Sequence, residues 1–257
     1  MNIPRRFLCA IRMLSATRPT RTMPSSPPLY KTNPHPRSLY PTPLAYKHAD
    51  FSRQDESSDS EWYAQPRFVQ HIDDPAIACL KAYYSTIIKP NHSVLDICSS
   101  WVSHLPAELK PQSMVGYGMN YAELSKNPHL TKFFVKDLNV IPRLEEVPDG
   151  TIDTVICNVS VDYLTKPVAV FNEMKRVLRG GGTAHMAFSN RCFPTKVVGN
   201  WMGMSDGERR KWVGGYFWAS GGWEDVGEVI LKEQKERFLG GNEDPLYVVR
   251  GIKMATK

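Results

Sequence analysis

Apolar residues recur along this chain at two spacings, and the alternation between them marks strands and helices. Short apolar runs at Val94–Asp96, Met114–Tyr117, Phe133–Val135, Thr154–Asn158 and Thr183–Phe188 have the length and β-branched content of buried strands. Between them the period lengthens. Asp73-Asp74-Pro75 has the composition of a helix start, with Ile77, Leu80, Tyr84 and Ile87 on one face and Pro90 as a stop. A second helix start falls around Asn120 to Ser125. From Pro167 to Leu178, residues Val168, Val170, Phe171, Met174 and Val177 share a face, and Gly180-Gly-Gly182 reads as the cap. Ser205 to Ala219 is helical in pattern. Val226–Leu231 and Tyr247–Ile252 are two closing strands with too little chain between them for a crossover helix, so they should pair antiparallel. The whole predicts an α/β fold, a doubly wound and mostly parallel sheet with a C-terminal antiparallel hairpin.

The first 60 residues have no such period. Residues 1–23 are rich in arginine and hydroxyl side chains and lack acids. Phe7, Leu8, Ile11 and Leu14 can share one helical face, the composition of a mitochondrial transit peptide. Residues 24–60 are dense in proline and serine and read as a disordered linker, placing the folded domain at 61–257. Without that leader function the expected address is cytoplasmic.

The net charge of +6 changes little once it is located. Residues 1–49 hold Arg5, Arg6, Arg12, Arg18, Arg21, Lys31, Arg37 and Lys47 and no acid, so the remainder is slightly acidic. A basic face for nucleic acid is therefore not expected on the folded part. The five cysteines contain no C-x-x-C pair and the seven histidines no ligand spacing, so no metal is expected. No apolar run is long enough for a transmembrane helix.

The chemistry concentrates where strands end. Ser93-Val-Leu-Asp-Ile-Cys-Ser-Ser-Trp-Val-Ser-His104 is a buried strand closing on an acid and a small-residue turn. Gly150-Thr-Ile-Asp-Thr-Val-Ile-Cys-Asn158 runs through Tyr163, and Glu173-Met-Lys-Arg-Val-Leu-Arg-Gly-Gly-Gly182 follows. Together these segments resemble the class I, Rossmann-like, seven-stranded S-adenosylmethionine-dependent methyltransferases over roughly residues 92–253, in particular small proteins with an Asp-x-Cys-Ser-Ser-Trp-Val-Ser-His turn.

That resemblance implies S-adenosylmethionine as cofactor and assigns residues by position. Asp96 matches the acid near the methionine moiety. The glycine-rich turn after it is replaced by Cys98, Ser100 and Val102, with Ser99 able to offer a hydroxyl. The ribose acid expected after the second strand is replaced by Gly118, which leaves Asn120 as the nearest polar group. Asp137, with Leu138 beside it, matches the adenine contact. Asn158, Asp162 and Tyr163 match the loop facing the transferred methyl group. Tyr63 and Arg67, ahead of the first strand, would reach the cofactor carboxylate.

Methyl transfer needs chiefly alignment, and a base only if the acceptor must lose a proton. Asp162, His104 and His71 are the candidate bases. The aromatics Trp201, Trp212, Tyr216, Phe217, Trp218 and Trp223 either stack a flat acceptor or pack the core. The reading is a methyltransferase acting on a small-molecule acceptor. The alternative is a non-catalytic methyltransferase fold acting as an assembly factor with a protein partner, which the missing glycines and missing ribose acid favour.

Overall fold

A computed structural model of the chain describes residues 30–234 and 243–255. The transit-peptide segment, residues 1–23, lies outside the described residues.

The seven predicted strands are present and somewhat longer than their apolar runs, as β2 Ser93–Ser99, β3 Ser113–Gly118, β4 Lys132–Val135, β5 Ile152–Asn158, β6 Leu178–Phe188, β7 Trp223–Lys232 and β8 Leu246–Lys253; a strand that was not predicted, β1 Asn33–Pro34, precedes them. The helices are α1 Asp59–Trp62, α2 Asp74–Ile87, α3 Tyr121–Leu124, α4 Pro167–Val177 and α5 Asp206–Ser220. They form one sheet in the order β1-β7-β8-β6-β5-β2-β3-β4. Pairing is parallel from β6 through β5, β2 and β3 to β4, and antiparallel for β6–β8, β8–β7 and β7–β1. This is the doubly wound, mostly parallel sheet with a closing antiparallel hairpin that the sequence implied, plus an eighth strand of two residues.

Side-chain alternation distributes the core over both faces. Leu95, Ile97, Val155, Cys157 and Met186 pack with Phe171 and Met174 of α4 and Phe217 of α5. Val94, Met114, Ile156 and Ala187 pack on the other face with Ile77, Leu80 and Tyr84 of α2. The α2 start is as the sequence implied: Asp73 accepts from the Ala76 amide at 2.9 Å, with Pro75 in the first turn.

Two sequence expectations need correction. The first is the linker over 24–60, which is structured from Tyr30 onward. β1 adds to the β7 edge, Tyr40 is buried with its hydroxyl on the Lys211 carbonyl at 3.1 Å, and the Tyr46 hydroxyl reaches the Trp212 carbonyl at 3.1 Å. These tyrosines lie over Gly214 and Gly215, where an added Cβ would fall 2.3 and 2.2 Å from the two hydroxyl oxygens. A helix surface bared by two glycines thus supplies the apolar partner that the segment lacks in its own sequence.

The second concerns Gly180–Gly182, which do not cap α4. The helix ends at Val177, Leu178 is already extended, and the glycines lie within β6. There the register against β5 jumps from Ile152–Leu178 to Thr154–Thr183. Gly181 takes φ +76 in the displaced segment, a backbone that glycine adopts freely.

Candidate active site

A cavity of about 350 Å³ opens at the carboxyl ends of β2, β3 and β5. That is the crevice in which open α/β sheets take ligands, at a volume suited to a small molecule. Its wall contains Cys98, His104 and Val159, at φ +53, +55 and +43. Such angles are strained for residues with a Cβ, most of all for β-branched valine. Three of the four non-glycine residues with positive φ among the described residues therefore border one cavity. Strain concentrated this way marks a functional site.

Asp96 sits on the cavity floor, fully buried. Its Oδ2 accepts from Ser99 Oγ at 2.7 Å and from Ser103 Oγ at 2.6 Å. Asn158 Nδ2 lies 3.5 Å from Oδ1, and Asn158 Oδ1 accepts from the Tyr84 hydroxyl. Burial pushes the Asp96 carboxyl up to about 6, against the pull of the two serines. Asp96 thus holds the turn from Ser99 to Ser103 in shape. Cys98, at the first of the replaced glycine positions, adopts the left-handed backbone that a glycine would take there. Residues 100–112, which link β2 to its parallel neighbour β3, contain no helix. No helix N-terminus is directed at the cavity from this crossover.

Gly118 explains why the acid after β3 is missing. A Cβ there would lie 2.1 Å from the Ser99 carbonyl oxygen, so β3 can close on the turn only with glycine. Asn120 is not its replacement. Its Oδ1 caps α3 by accepting from the Glu123 amide at 3.2 Å. Its amide donates to the Tyr63 and Ala64 carbonyls at 2.9 and 3.0 Å, and the side chain is outside the cavity wall.

The acid that does face the cavity is Glu123, which sequence reasoning missed. It is buried, accepts from Ser100 Oγ at 2.5 Å through Oε2 and from the Arg67 amide at 2.6 Å through Oε1. The only signal was its position three residues after Asn120, which reads equally well as an ordinary first-turn acid.

Asp137 and Leu138 border the cavity beyond β4. Asp137 Oδ1 takes the Asn139 and Val140 amides at 2.8 and 3.3 Å, an Asx turn, which leaves Oδ2 for a ligand. Asn139 then joins two elements, donating to Asp59 Oδ2 and to the Tyr163 carbonyl, both at 2.9 Å.

The front wall comes from the segment ahead of β2. Tyr63, Arg67 and His71 border the cavity, together with Phe193 from the loop after β6. The Arg67 guanidinium lies 5.3, 5.7 and 5.7 Å from the ring centroids of Trp62, Tyr63 and Phe193. Nη2 donates to the Trp62 carbonyl at 3.0 Å, while the buried Nη1 has no partner. His104 Nδ1 is likewise buried and unpartnered. Both nitrogens are closed off from the cavity as well as unpartnered, at a cost of about 1–3 kcal/mol for a buried donor. Asp59 anchors this wall. It pairs with Arg53 at 2.7 Å and with Lys196 at 3.4 Å, all three side chains being almost fully buried.

Asn158 and Tyr163 also border the cavity, and the Tyr163 hydroxyl accepts from the Phe193 amide at 2.7 Å. Asp162 does not. It is buried behind the wall, where its carbonyl accepts from the Val198 amide at 3.0 Å, and burial pushes its carboxyl up to about 7. The short 3-10 turn Val161–Tyr163 brings Tyr163 to the cavity and leaves its neighbour Asp162 behind the wall, which a linear reading of the loop could not resolve. The aromatic insert also belongs to the core: Trp201, Tyr216, Phe217 and Trp223 are buried, with Trp212 and Trp218 packed against them. Of the segment from Ser189 to Trp223, only Arg191, Cys192 and Phe193 reach the cavity.

Comparison with known proteins agrees with this architecture. Residues 114–186 match the family model of a methyltransferase domain. No curated protein matches the chain by sequence. Among solved structures, a chain of the complex between the Haloferax volcanii Trm112 methyltransferase activator and a methyltransferase superposes with a TM-score of 0.51 at 14% identity, covering 72% of this chain and 92% of that one. An S-adenosylmethionine-dependent methyltransferase from Archaeoglobus fulgidus gives 0.47 at 15% identity, covering 69% and 94%. At such identities the likeness is one of fold. Residues 114–186, from β3 into β6, are thus similar to a methyltransferase domain, and they lie inside a Rossmann-like fold.

Proposed function

We propose that this protein is an S-adenosylmethionine-dependent methyltransferase acting on a small-molecule acceptor. The observation that carries the reading is the strained cavity at the carboxyl ends of β2, β3 and β5, whose wall brings Asp96, Glu123 and Asp137 together. Arg67, in the same wall, is a cation suited to the carboxylate at the amino-acid end of S-adenosylmethionine. The rest of the wall suits the remaining parts of that molecule. Ser99 and Ser100 border the methionine end with Cys98, and Tyr63 closes over it. Glu123 lies where ribose hydroxyls would donate, tied to the turn through Ser100. Asp137 Oδ2 and Leu138 flank the adenine end.

The bound sulfonium would supply an electrophilic methyl group. The chain would hold donor and acceptor in line and keep water out, with Asn158 and Tyr163 at the transfer end. Asp162 has no part in this assignment, because it is shielded from the cavity.

A second reading, a non-catalytic fold that serves a protein partner, is favoured by the helix-free crossover at residues 100–112 and by an Asp96 already committed to two serines. Calorimetric titration of the full chain with S-adenosylmethionine and S-adenosylhomocysteine separates the two. Micromolar binding of both supports the enzyme. A cooperatively folded protein that binds neither up to millimolar concentration sinks it and leaves the assembly role. The basic leader over residues 1–23 supports a mitochondrial address. Fusion of residues 1–49 to a fluorescent reporter tests it, and a diffuse cytosolic signal would remove the claim.

A further inference from the structure

The exposed apolar side chains of this molecule are not scattered. Nine large hydrophobic residues are exposed among those described, and six of them, Phe68, Val69, Tyr121, Val135, Val140 and Ile141, lie in segments that also supply the cavity wall. Val69 is itself in the wall, and Phe68 stands between it and Arg67. Tyr121 stands between Met119 and Glu123, and Val135 and Val140 bracket the wall residues 136–139. A seventh, Met202, has its sulfur 3.2 Å from Cys192 Sγ, another wall residue. Leu39 and Met254 are the two that lie elsewhere. Single exposed apolar side chains are ordinary, whereas a cluster around an entrance needs a reason.

Contacts join these residues into one surface. The Phe68 ring meets Trp101 edge to face at 6.2 Å, and Trp101 Nε1 donates to the Val69 carbonyl at 3.2 Å. The Arg67 amide donates to Glu123, which ties this segment to α3. On α3 the Tyr121 ring packs on Phe133 of β4 at 5.4 Å, and β4 ends at Val135. Asp137 then takes the Val140 amide, which holds Val140 beside the wall. The exposed charges among them are of one sign. Segments 67–71, 119–126 and 132–143 expose Lys126, Lys132 and Arg143 and no acid. Lys166, also exposed, donates to the Val140 carbonyl at 3.2 Å. Just beyond, Glu145 and Glu146 are held by Lys136 at 2.5 and 2.8 Å.

Aromatic and aliphatic side chains interspersed with lysine and arginine suit a phospholipid interface, where the apolar groups enter the leaflet and the cations meet its headgroups. A folded partner or a second copy seated here would seal the entrance that a methyltransferase has to load and empty. A fluid leaflet covers the same side chains and leaves a way through. We propose that this apolar rim is a docking face for an anionic lipid surface, and that it sets the cavity mouth against the lipid. The choice of lipid over protein rests on the methyltransferase reading above.

The test sediments the full chain with vesicles of phosphatidylcholine alone and with vesicles of phosphatidylcholine and phosphatidylglycerol in equal parts. The chain should partition onto the mixed vesicles, less onto the neutral ones, and the preference should shrink as salt rises. Phe68→Ser combined with Tyr121→Ser should lower partition about tenfold or more, and leave the thermal midpoint and S-adenosylhomocysteine affinity unchanged. Leu39→Ser combined with Met254→Ser should partition as wild type does. Brominated acyl chains should quench tryptophan fluorescence, and Trp101→Phe should remove most of that quenching. Residues 1–29 contain no tryptophan, so the basic leader gives no such signal.

A wild type that ignores both kinds of vesicle overturns the proposal. So does partition that survives the Phe68 and Tyr121 pair, as attachment through the leader alone would give, or a loss equally large in the Leu39 and Met254 pair. Self-association that depends on Phe68 and Tyr121, in place of vesicle binding, overturns it in favour of a second copy. A chain that partitions as expected but does not bind S-adenosylhomocysteine removes the methyltransferase reading and leaves the lipid contact standing.

Discussion

Ser100 Oγ donates to Glu123 Oε2 at 2.5 Å, joining the turn after β2 to the short helix after β3. The contact gives the cavity an acid that the end of β3 cannot carry, because Gly118 leaves no room for a Cβ. If Glu123 receives ribose hydroxyls, Glu123→Gln should weaken S-adenosylhomocysteine by roughly tenfold or more, in line with about 1.5–3 kcal/mol for hydrogen bonds to a charged group. Calorimetry reads this directly. An unchanged affinity would reduce Glu123 to a brace between Ser100 and Arg67.

Asp96→Ala should do more than remove a ligand contact. Ser99 and Ser103 both donate to Asp96 Oδ2, and alanine would leave two buried hydroxyls without their acceptor. The expected loss is about 2–5 kcal/mol of stability, and urea denaturation measures it. A midpoint equal to wild type would reduce Asp96 to a ligand contact alone.

Asp162 gives stability a definite pH dependence. Its carboxyl is raised from 3.8 to about 7 in the folded chain by burial. Between those values the folded state holds a proton that the unfolded state has lost, so the contribution is full below about pH 4 and declines as pH rises toward 7. Asp162→Asn keeps the shape and removes the ionisation. The variant should be more stable than wild type at pH 8, by on the order of a few kcal/mol, and equal to it near pH 4. Thermal melts across that range decide the matter. A wild type that gains on the variant as pH rises would show the sign to be wrong.

Lys196 is a buried cation that clamps the front wall. Its side chain is 1% exposed, Nζ donates to the Ser57 carbonyl at 2.7 Å, and it pairs with Asp55 and Asp59 at 3.4 Å. Lys196→Met would leave Asp59 with Arg53 and Asn139 only, at a cost of about 3–5 kcal/mol for a broken buried pair. Hydrogen exchange of the amides from Ser57 to Tyr63 should accelerate selectively, and cofactor affinity should fall with it. Unaltered protection over that segment would mean that Arg53 suffices as the clamp.

Much of this protein was determined locally by its sequence. The strands from Val94 to Phe188 and the closing hairpin follow from periodicity, since an apolar run between turn residues has few other ways to bury itself. The start of α2 follows from Asp73 and Pro75 for the same local reason. The positions of Asp96, Asp137, Asn158 and Tyr163 beside the cavity follow as well, because residues at the carboxyl ends of parallel strands share one edge of the sheet.

Only the tertiary structure decided the rest. Tyr40 and Tyr46 fold an apparently featureless segment onto Gly214 and Gly215, contacts that join residues far apart in the chain. Gly180–Gly182 read as a helix cap until pairing with β5 drew them into a strand. Asp162 and Tyr163 are adjacent in sequence, and the 3-10 turn brings only Tyr163 to the cavity. Asn120 and Glu123 are three residues apart, and helix geometry assigned the cap to one and the cavity to the other. In each case the deciding term is a long-range contact or a backbone angle, and neither is encoded in the spacing of apolar residues.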